Sequence, residues 1–154
     1  MDSTIHDFDM ARYLIHDEID EVFATARVVT DPRIADVGDI DTAIVVLRYR
    51  GGALGVIDNR RLSGFQGYDQ RVEVSGSQGS VRSENDTVDT TQVTTATGEQ
   101  RSLPPFSFIE RYSEAYIIEM RDFVQAMLDD RTPAVTGWDG RAPVLAAYAA
   151  KKSN

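Results

Sequence analysis

The chain opens with apolar residues at helical spacing and continues with alternating apolar and polar positions. Ser3 or Thr4 can cap a first helix, whose apolar residues share one face: Ile5, Phe8, Ala11, Leu14 and Ile15. Period-two alternation then predicts strands over residues 21–30, 42–50 and 53–61. A glycine pair separates the last two strands and is a strong hairpin signal, so we expect them to pair antiparallel.

The strand over residues 42–50 alternates most clearly and predicts the two faces of a sheet. We expect one face to be buried beneath the helices, and on this strand it comprises Ala43, Val45, Leu47 and Tyr49. The face without helices is also partly apolar, and we assign to it Ile44, Val46 and Ile57. Such a face is expected to bury itself in a homo-oligomer, a dimer or a tetramer.

Further strands and two more helices follow. Residues 69–75 and 80–83 flank a glycine turn, and the threonine-rich stretch 85–98 predicts a weak edge hairpin. The helical period returns over 109–128, whose apolar stripe we expect to pack on the sheet, and over 141–150. Together these elements predict an α+β fold, with an open, mainly antiparallel β-sheet and helices packed on one face.

Composition narrows the class of protein and its partners. The 154 residues suit one domain, and their net charge of −9 argues against a nucleic acid or an anionic membrane as partner. The chain has no cysteine, which excludes disulfides and thiolate metal sites and favours a cytoplasmic location. Lys151 and Lys152 are the only lysines, so a mechanism that needs a lysine in the body of the domain cannot be completed here.

The second face of the first helix carries the candidate chemistry. If the helix reaches back to Asp2, then Asp2, His6 and Asp9 lie at positions i, i+4 and i+7. A carboxylate one turn from an imidazole orients the ring and raises its proton affinity, as a general base for neutral pH requires. Two other interpretations stay open: an exposed first turn without chemistry, and a divalent metal site, as in a metal-dependent sugar isomerase.

Two further features bear on ligand binding. Tyr68 lies in a glycine-flanked loop, where it can pack at the sheet edge or offer its hydroxyl to a polar ligand. The sequence contains neither G-x-G-x-x-G at a strand-to-helix turn nor G-x-x-x-x-G-K-[ST]. We therefore expect no cofactor-binding residues on this chain.

Four stretches together resemble the C-terminal domain of the Gfo/Idh/MocA oxidoreductases. They are residues 2–14, with the pattern D-x-x-x-H-x-x-D, then 67–76, 108–119 and 137–142. In order and spacing they span nearly the whole chain. Within the family they are most similar to the inositol 2-dehydrogenase branch.

The resemblance implies a division of work between two domains. Residues 1–154 would form the substrate-binding and oligomerisation domain, while NAD or NADP would be bound by an N-terminal dinucleotide-binding domain that is absent from this chain. His6 would be the acid/base on a substrate hydroxyl, and Asp2 would bind the substrate or orient His6. Tyr68 and Asp9 would contact the polyol or sugar.

One departure from the family pattern affects activity. The lysine of the family's E-K-P motif has no counterpart here, so we expect the chain alone to be inactive. A non-catalytic binding or assembly module is the alternative class of function.

Overall fold

The computed structural model describes residues 3–61 and 67–154, and the chain divides into two compact units. The first unit lies within residues 1–62 and 132–154, and the second within 63–131. The elements in chain order are α1 (Thr4–Ile15), β1 (Ile19–Arg27), α2 (Arg33–Asp36), β2 (Thr42–Tyr49), β3 (Leu54–Arg60), β4 (Val72–Gly76), β5 (Gly79–Ser83), β6 (Gln92–Thr95), β7 (Gly98–Arg101), α3 (Phe108–Arg111), α4 (Ser113–Leu128) and α5 (Gly137–Ser153).

The first unit is a three-stranded antiparallel sheet, in the order β1-β2-β3, with α1 and α5 on one face. The inward residues of β2 are buried as the alternation predicts: Ala43, Val45, Leu47 and Tyr49. Phe8 of α1 and the Ala146-Ala147 pair of α5 complete this core. Burying a side chain the size of Leu or Phe contributes about 1.5–3 kcal/mol, so this layer fixes α1 on the sheet.

The C-terminal end of α5 is also tied to the outer edge of the sheet. The backbone N–H of Ala24 donates to Ser153 Oγ at 3.1 Å, and that of Ala26 donates to Asn154 Oδ1 at 2.6 Å. These donors belong to β1, the edge strand, which would otherwise leave them unpaired. The two bonds set the position of α5 along β1.

The open face of this sheet differs from the prediction at one residue. Ile57 pairs with Val45 and packs against the buried core, so the expectation that it lies on the open face is wrong. Alternation along β3 follows its register with β2, and a one-residue difference moves a side chain to the opposite face. Leu54 and Val56 therefore occupy the open face of β3, beside Val46 of β2.

β1 ends at Arg27, three residues earlier than the alternation predicts. The Asp41 carboxylate accepts the backbone N–H groups of Val29 and Thr30 at 2.8 Å and of Asp31 at 3.0 Å. Because these donors turn towards one side chain, residues 29–31 do not continue the strand. Burial of Asp41 raises the pKa of its carboxyl, but the hydrogen bonds outweigh this effect and lower the pKa to about 2.

We expect Asp41→Asn to lower the thermal stability at neutral pH and to matter less in acid. A folded-state pKa near 2, below the ordinary 3.8, means that the carboxylate contributes stability above about pH 4 and loses it as the pH falls through 2. Melting temperatures of both proteins between pH 7 and pH 2 measure this. Asp39→Asn, in the same loop but exposed, is the control. Equal melting temperatures of Asp41→Asn and the parent at pH 7 would contradict a stabilising role of the Asp41 carboxylate.

The second unit contains two separate hairpins, β4–β5 and β6–β7, and the helices α3 and α4. The predicted helix over 109–128 is interrupted at Tyr112, whose φ of −108° and ψ of 15° are not helical. Ser107 begins α3 through a capping box with Glu110. The expected burial of the α4 stripe is wrong, because within that stripe only Ala126 is buried.

The predicted fold class, α+β with antiparallel strands, is confirmed. In the described residues the strands form three sheets, of three, two and two strands, where the sequence predicts one open sheet. Of the helices in residues 3–61 and 67–154, none is long and apolar enough to cross a lipid bilayer.

Candidate active site

His6 lies in the first turn of α1 and is exposed, while Phe8 on the other side of the helix is almost fully buried. The turn is closed by the His6 N–H, which donates to the Ser3 carbonyl at 3.3 Å. Asp9 follows three residues later and its side chain is 49% exposed. Residues at this spacing are neighbours on a helix surface, so α1 places His6 and Asp9 on the same side of the helix, while their roles stay predictions.

The third predicted member of this face, Asp2, falls outside the described residues. Its proposed role in binding substrate or orienting His6 therefore stays a prediction. In the described part of the chain, no hydrogen bond or ion pair involves the His6 imidazole. The ring is available to a ligand.

The first turn of α1 is fixed to the sheet beside His6. Asn59 of β3 donates from Nδ2 to Asp7 Oδ2 at 3.3 Å. A cavity of about 40 Å³ adjoins Ser3, Thr4 and Asn59. That volume holds a water molecule but is too small for a sugar.

The last turn of α1 is fixed by a group that the sequence analysis missed. Arg12 forms a forked pair with Glu18, at 3.0 Å from Nε and 2.7 Å from Nη2, and its Nη1 lies 3.6 Å from Asp9. The spacing of Asp9 and Arg12, three residues apart on a helix, could have predicted their ion pair from the sequence. The contact between Arg12 and Glu18 could not be predicted, because it depends on the path of the chain after α1.

Tyr68 is positioned by contacts within the second unit. Its N–H donates to the Pro105 carbonyl at 2.7 Å, and its ring meets that of Tyr112 edge-on with centroids 5.9 Å apart. The preceding Gly67 has a φ of +73°, and a Cβ there would lie 2.5 Å from the Pro104 carbonyl oxygen. Only glycine allows the backbone to come this close to Pro104, so Gly67 fixes the backbone position of the neighbouring Tyr68.

The Tyr112 ring that Tyr68 contacts is itself held by a second set of contacts. The Tyr112 hydroxyl is hydrogen-bonded to the Gln70 side chain, and Arg111 Nη2 donates to the Gln70 carbonyl at 3.0 Å. The Arg111 guanidinium lies 5.6 Å from the centre of the Tyr112 ring, and its Nε and Nη1 are buried without a hydrogen-bond partner among the described residues. These contacts hold Tyr68 half-buried and were not evident in the sequence.

The metal interpretation finds no support in the part of the chain that the structure describes. There, no group of three or more His, Cys, Asp or Glu side chains could hold a metal ion. His16, the other histidine, ends α1 in a left-handed conformation with a φ of 52°, and its ring lies against Tyr13.

The arrangement at His6 is chemically competent for proton transfer. An exposed imidazole can exchange protons with water and with a bound hydroxyl. The neighbouring Asp9 carboxylate accepts hydrogen bonds only, as a site for a hydroxylated molecule requires. The fold and the site together define an α+β domain that carries an exposed histidine and a half-exposed carboxylate on one helix.

Comparison with known proteins identifies the family. The profile described as "GFO/IDH/MocA C-terminal domain" matches residues 1–82, so the chain belongs to this oxidoreductase family as a C-terminal domain. It is 47% identical over 153 residues to a myo-inositol 2-dehydrogenase of Thermotoga maritima, covering 99% of this chain and 46% of that protein. The crystal structure of a probable dehydrogenase from Thermotoga maritima matches with a TM-score of 0.94 and 47% identity, over 99% of this chain and 45% of that one.

The name of a further relative includes its cofactor. The scyllo-inositol 2-dehydrogenase (NAD(+)) of Bacillus subtilis is 32% identical over 153 residues, which cover 99% of this chain and 44% of that protein. The chain thus spans about half the length of the curated relatives that it matches.

Proposed function

We propose that this chain is the substrate-binding and oligomerisation domain of an NAD(P)-dependent oxidoreductase that acts on the CH–OH group of a polyol, with inositols as the substrate class. The main support is the exposed His6 imidazole next to Asp9, on a helix held by Asn59 at its first turn and by Glu18 at its end. The names of the Thermotoga maritima and Bacillus subtilis relatives support inositol as the substrate.

Oxidation of a secondary alcohol removes a proton from oxygen and a hydride from carbon. The His6 imidazole accepts the proton as the O–H bond breaks and the C=O bond forms, and its exposure lets it release that proton to water. NAD or NADP, held by a dinucleotide-binding domain, would supply the hydride acceptor. The Asp9 carboxylate accepts hydrogen bonds from neighbouring hydroxyls and so orients the ring.

The remaining predicted roles belong to the same proposal. Tyr68 offers its phenol to the polyol, and Asp2 acts on the substrate or on His6. The cofactor is NAD or NADP, and the cytoplasmic location is a prediction from composition.

The proposed function is tested by a joined enzyme, in which this chain replaces the matching C-terminal part of the Thermotoga maritima relative. We expect the joined enzyme to reduce NAD when myo-inositol is added, and the chain alone to show no turnover, because the chain contains no dinucleotide-binding motif. Absorbance of NADH reports the rate, and the unaltered Thermotoga protein is the control. A folded joined enzyme that binds NAD but oxidises no inositol or sugar would favour the alternative, a non-catalytic binding or assembly module.

We also propose that the open face of the β1-β2-β3 sheet forms a homo-oligomer, a dimer or a tetramer. Phe23, Val46 and Val56 stand opposite one another across the three strands, and Phe23 and Val56 are 62% and 69% exposed. Aligned apolar side chains on a sheet face are typical of an interface between identical subunits.

Val56→Asp should separate the subunits. A two-fold interface would bring two such charges into an apolar contact, and we expect the dissociation constant to rise by at least about 100-fold. Sedimentation velocity over a range of concentrations measures it. Val37→Asp is the matched control, because Val37 is 78% exposed and lies outside the sheet. An unchanged sedimentation coefficient for Val56→Asp would exclude this face as the interface.

A further inference from the structure

Arg12 lies on the helix that carries His6 and is largely buried, with 10% of its side chain exposed. Its guanidinium meets both carboxylate oxygens of Glu18, through Nε at 3.0 Å and Nη2 at 2.7 Å. These hydrogen bonds raise the pKa of Arg12 and lower the pKa of Glu18, against the effect of burial. A forked pair of this kind fixes the plane of the guanidinium as well as its place.

The remaining nitrogen, Nη1, lies between two more carboxylates. It is 3.6 Å from Asp9 Oδ1 and 3.9 Å from Asp139 Oδ1. Asp139 belongs to the first turn of α5, where its other oxygen accepts from Thr136 in a capping box. Arg12 thus joins the candidate site on α1 to the start of α5.

Trp138 also contacts the cluster that Arg12 forms with Glu18, Asp9 and Asp139. Its indole Nε1 donates to Glu18 Oε1 at 3.2 Å, the same oxygen that Arg12 Nη2 contacts. The Glu18 carboxylate is therefore fixed by two donors from different helices. Because Glu18 cannot turn away, the Arg12 fork keeps a single orientation towards Asp9.

We infer that Arg12 is a positioning residue for the polyol site, which acts by holding the Asp9 carboxylate beside His6 and is itself held by Glu18 and Trp138. The inference rests on the proposed function. If Arg12 had a structural role alone, its ion pair with Glu18 would be sufficient. Its Nη1 also faces Asp9, whose side chain is half exposed and could sample several rotamers without this contact.

The chemical consequence concerns how Asp9 meets a ligand. Attraction from Nη1 directs Oδ1 towards the protein and leaves Oδ2 to accept from a substrate hydroxyl. Ordering this carboxylate before binding lowers the entropy lost when the polyol binds. Lysine at this position cannot reproduce the effect, because an ammonium lacks the planar fork that contacts Glu18 and Asp9 together.

The test compares Arg12→Lys, Asp9→Asn and the double variant in the joined enzyme. We expect Arg12→Lys to raise KM for myo-inositol by about tenfold while kcat changes by less than about twofold, and to have no further effect once Asp9 is replaced. Arg33→Lys is the matched control, because Arg33 makes the same forked contact with Asp31 on the exposed surface, away from α1. We expect this control to leave KM unchanged.

Two results would overturn the inference. One is an unchanged KM in Arg12→Lys, and the other is an increase that adds in full to that of Asp9→Asn. If circular dichroism shows that Arg12→Lys does not fold, Glu18→Gln takes its place and is judged by the same change in KM. No inositol turnover by the unaltered joined enzyme would refute the proposed function itself, and full turnover in His6→Ala would remove His6 as the proton acceptor. Normal turnover by the joined enzyme together with an unchanged KM in Arg12→Lys refutes the positioning role alone.

Discussion

Replacing His6 with alanine is expected to lower kcat of the joined enzyme by about 10²–10⁴-fold, the range that general acid–base catalysis supplies. The imidazole is exposed, carries no hydrogen bond within the described residues, and lies one turn from Asp9. Nothing in the core depends on it, so the variant should fold as the parent does. Steady-state turnover of myo-inositol measures the effect.

His16→Asn is the matched control for this experiment. His16 ends the same helix with a φ of 52°, a conformation that asparagine also tolerates. We expect this variant to keep the parent kcat. If His6→Ala instead retains more than about a tenth of the parent rate, His6 is not the proton acceptor.

Phe8→Ala is expected to lower the free energy of unfolding by about 3–5 kcal/mol, as for other large aromatic side chains removed from a core. Phe8 is 1% exposed and packs with Leu47, Tyr49 and the alanines of α5. Its loss leaves a cavity directly beneath the helix that carries His6. Urea unfolding followed by circular dichroism measures the change.

The control for this change is Phe106→Ala. Phe106 is 68% exposed in the extended segment before α3, and we expect its removal to change the free energy of unfolding by less than about 0.5 kcal/mol. A loss below about 1 kcal/mol in Phe8→Ala would show that α1 is not held on the sheet by this side chain.

The parts of the fold that could be predicted are those set by neighbours in sequence. The β2–β3 hairpin follows from two alternating runs separated by Gly51-Gly52, and its buried residues follow from the alternation on β2. The face carrying His6 and Asp9 follows from helical spacing alone. In these cases a local rule and the final structure agree.

The predictions are wrong where a residue distant in sequence determines the local structure. β1 stops at Arg27 because Asp41, which lies beyond a loop, collects the next backbone donors. Ile57 was assigned to the wrong face because the register of β3 with β2 was not known from sequence. Both depend on tertiary contacts that leave no periodic signal.

The apolar stripe of α4 shows a different limit. The period identifies an amphipathic helix but does not say which surface covers its apolar side, and Phe123 and Met127 of that stripe are 48% and 59% exposed. The Arg12 cluster is a similar case, since it joins α1 and Glu18 to the first turn of α5, which lies more than 100 residues further along the chain. These residues come together only in the folded domain.

A crystal structure of the joined enzyme with NAD and myo-inositol tests the central claim most directly. The account predicts a His6 ring nitrogen at about 2.6–3.2 Å from a hydroxyl oxygen of the polyol, with Asp9 Oδ2 accepting from an adjacent hydroxyl. A polyol that binds away from α1, with the His6 imidazole facing only water, would contradict it.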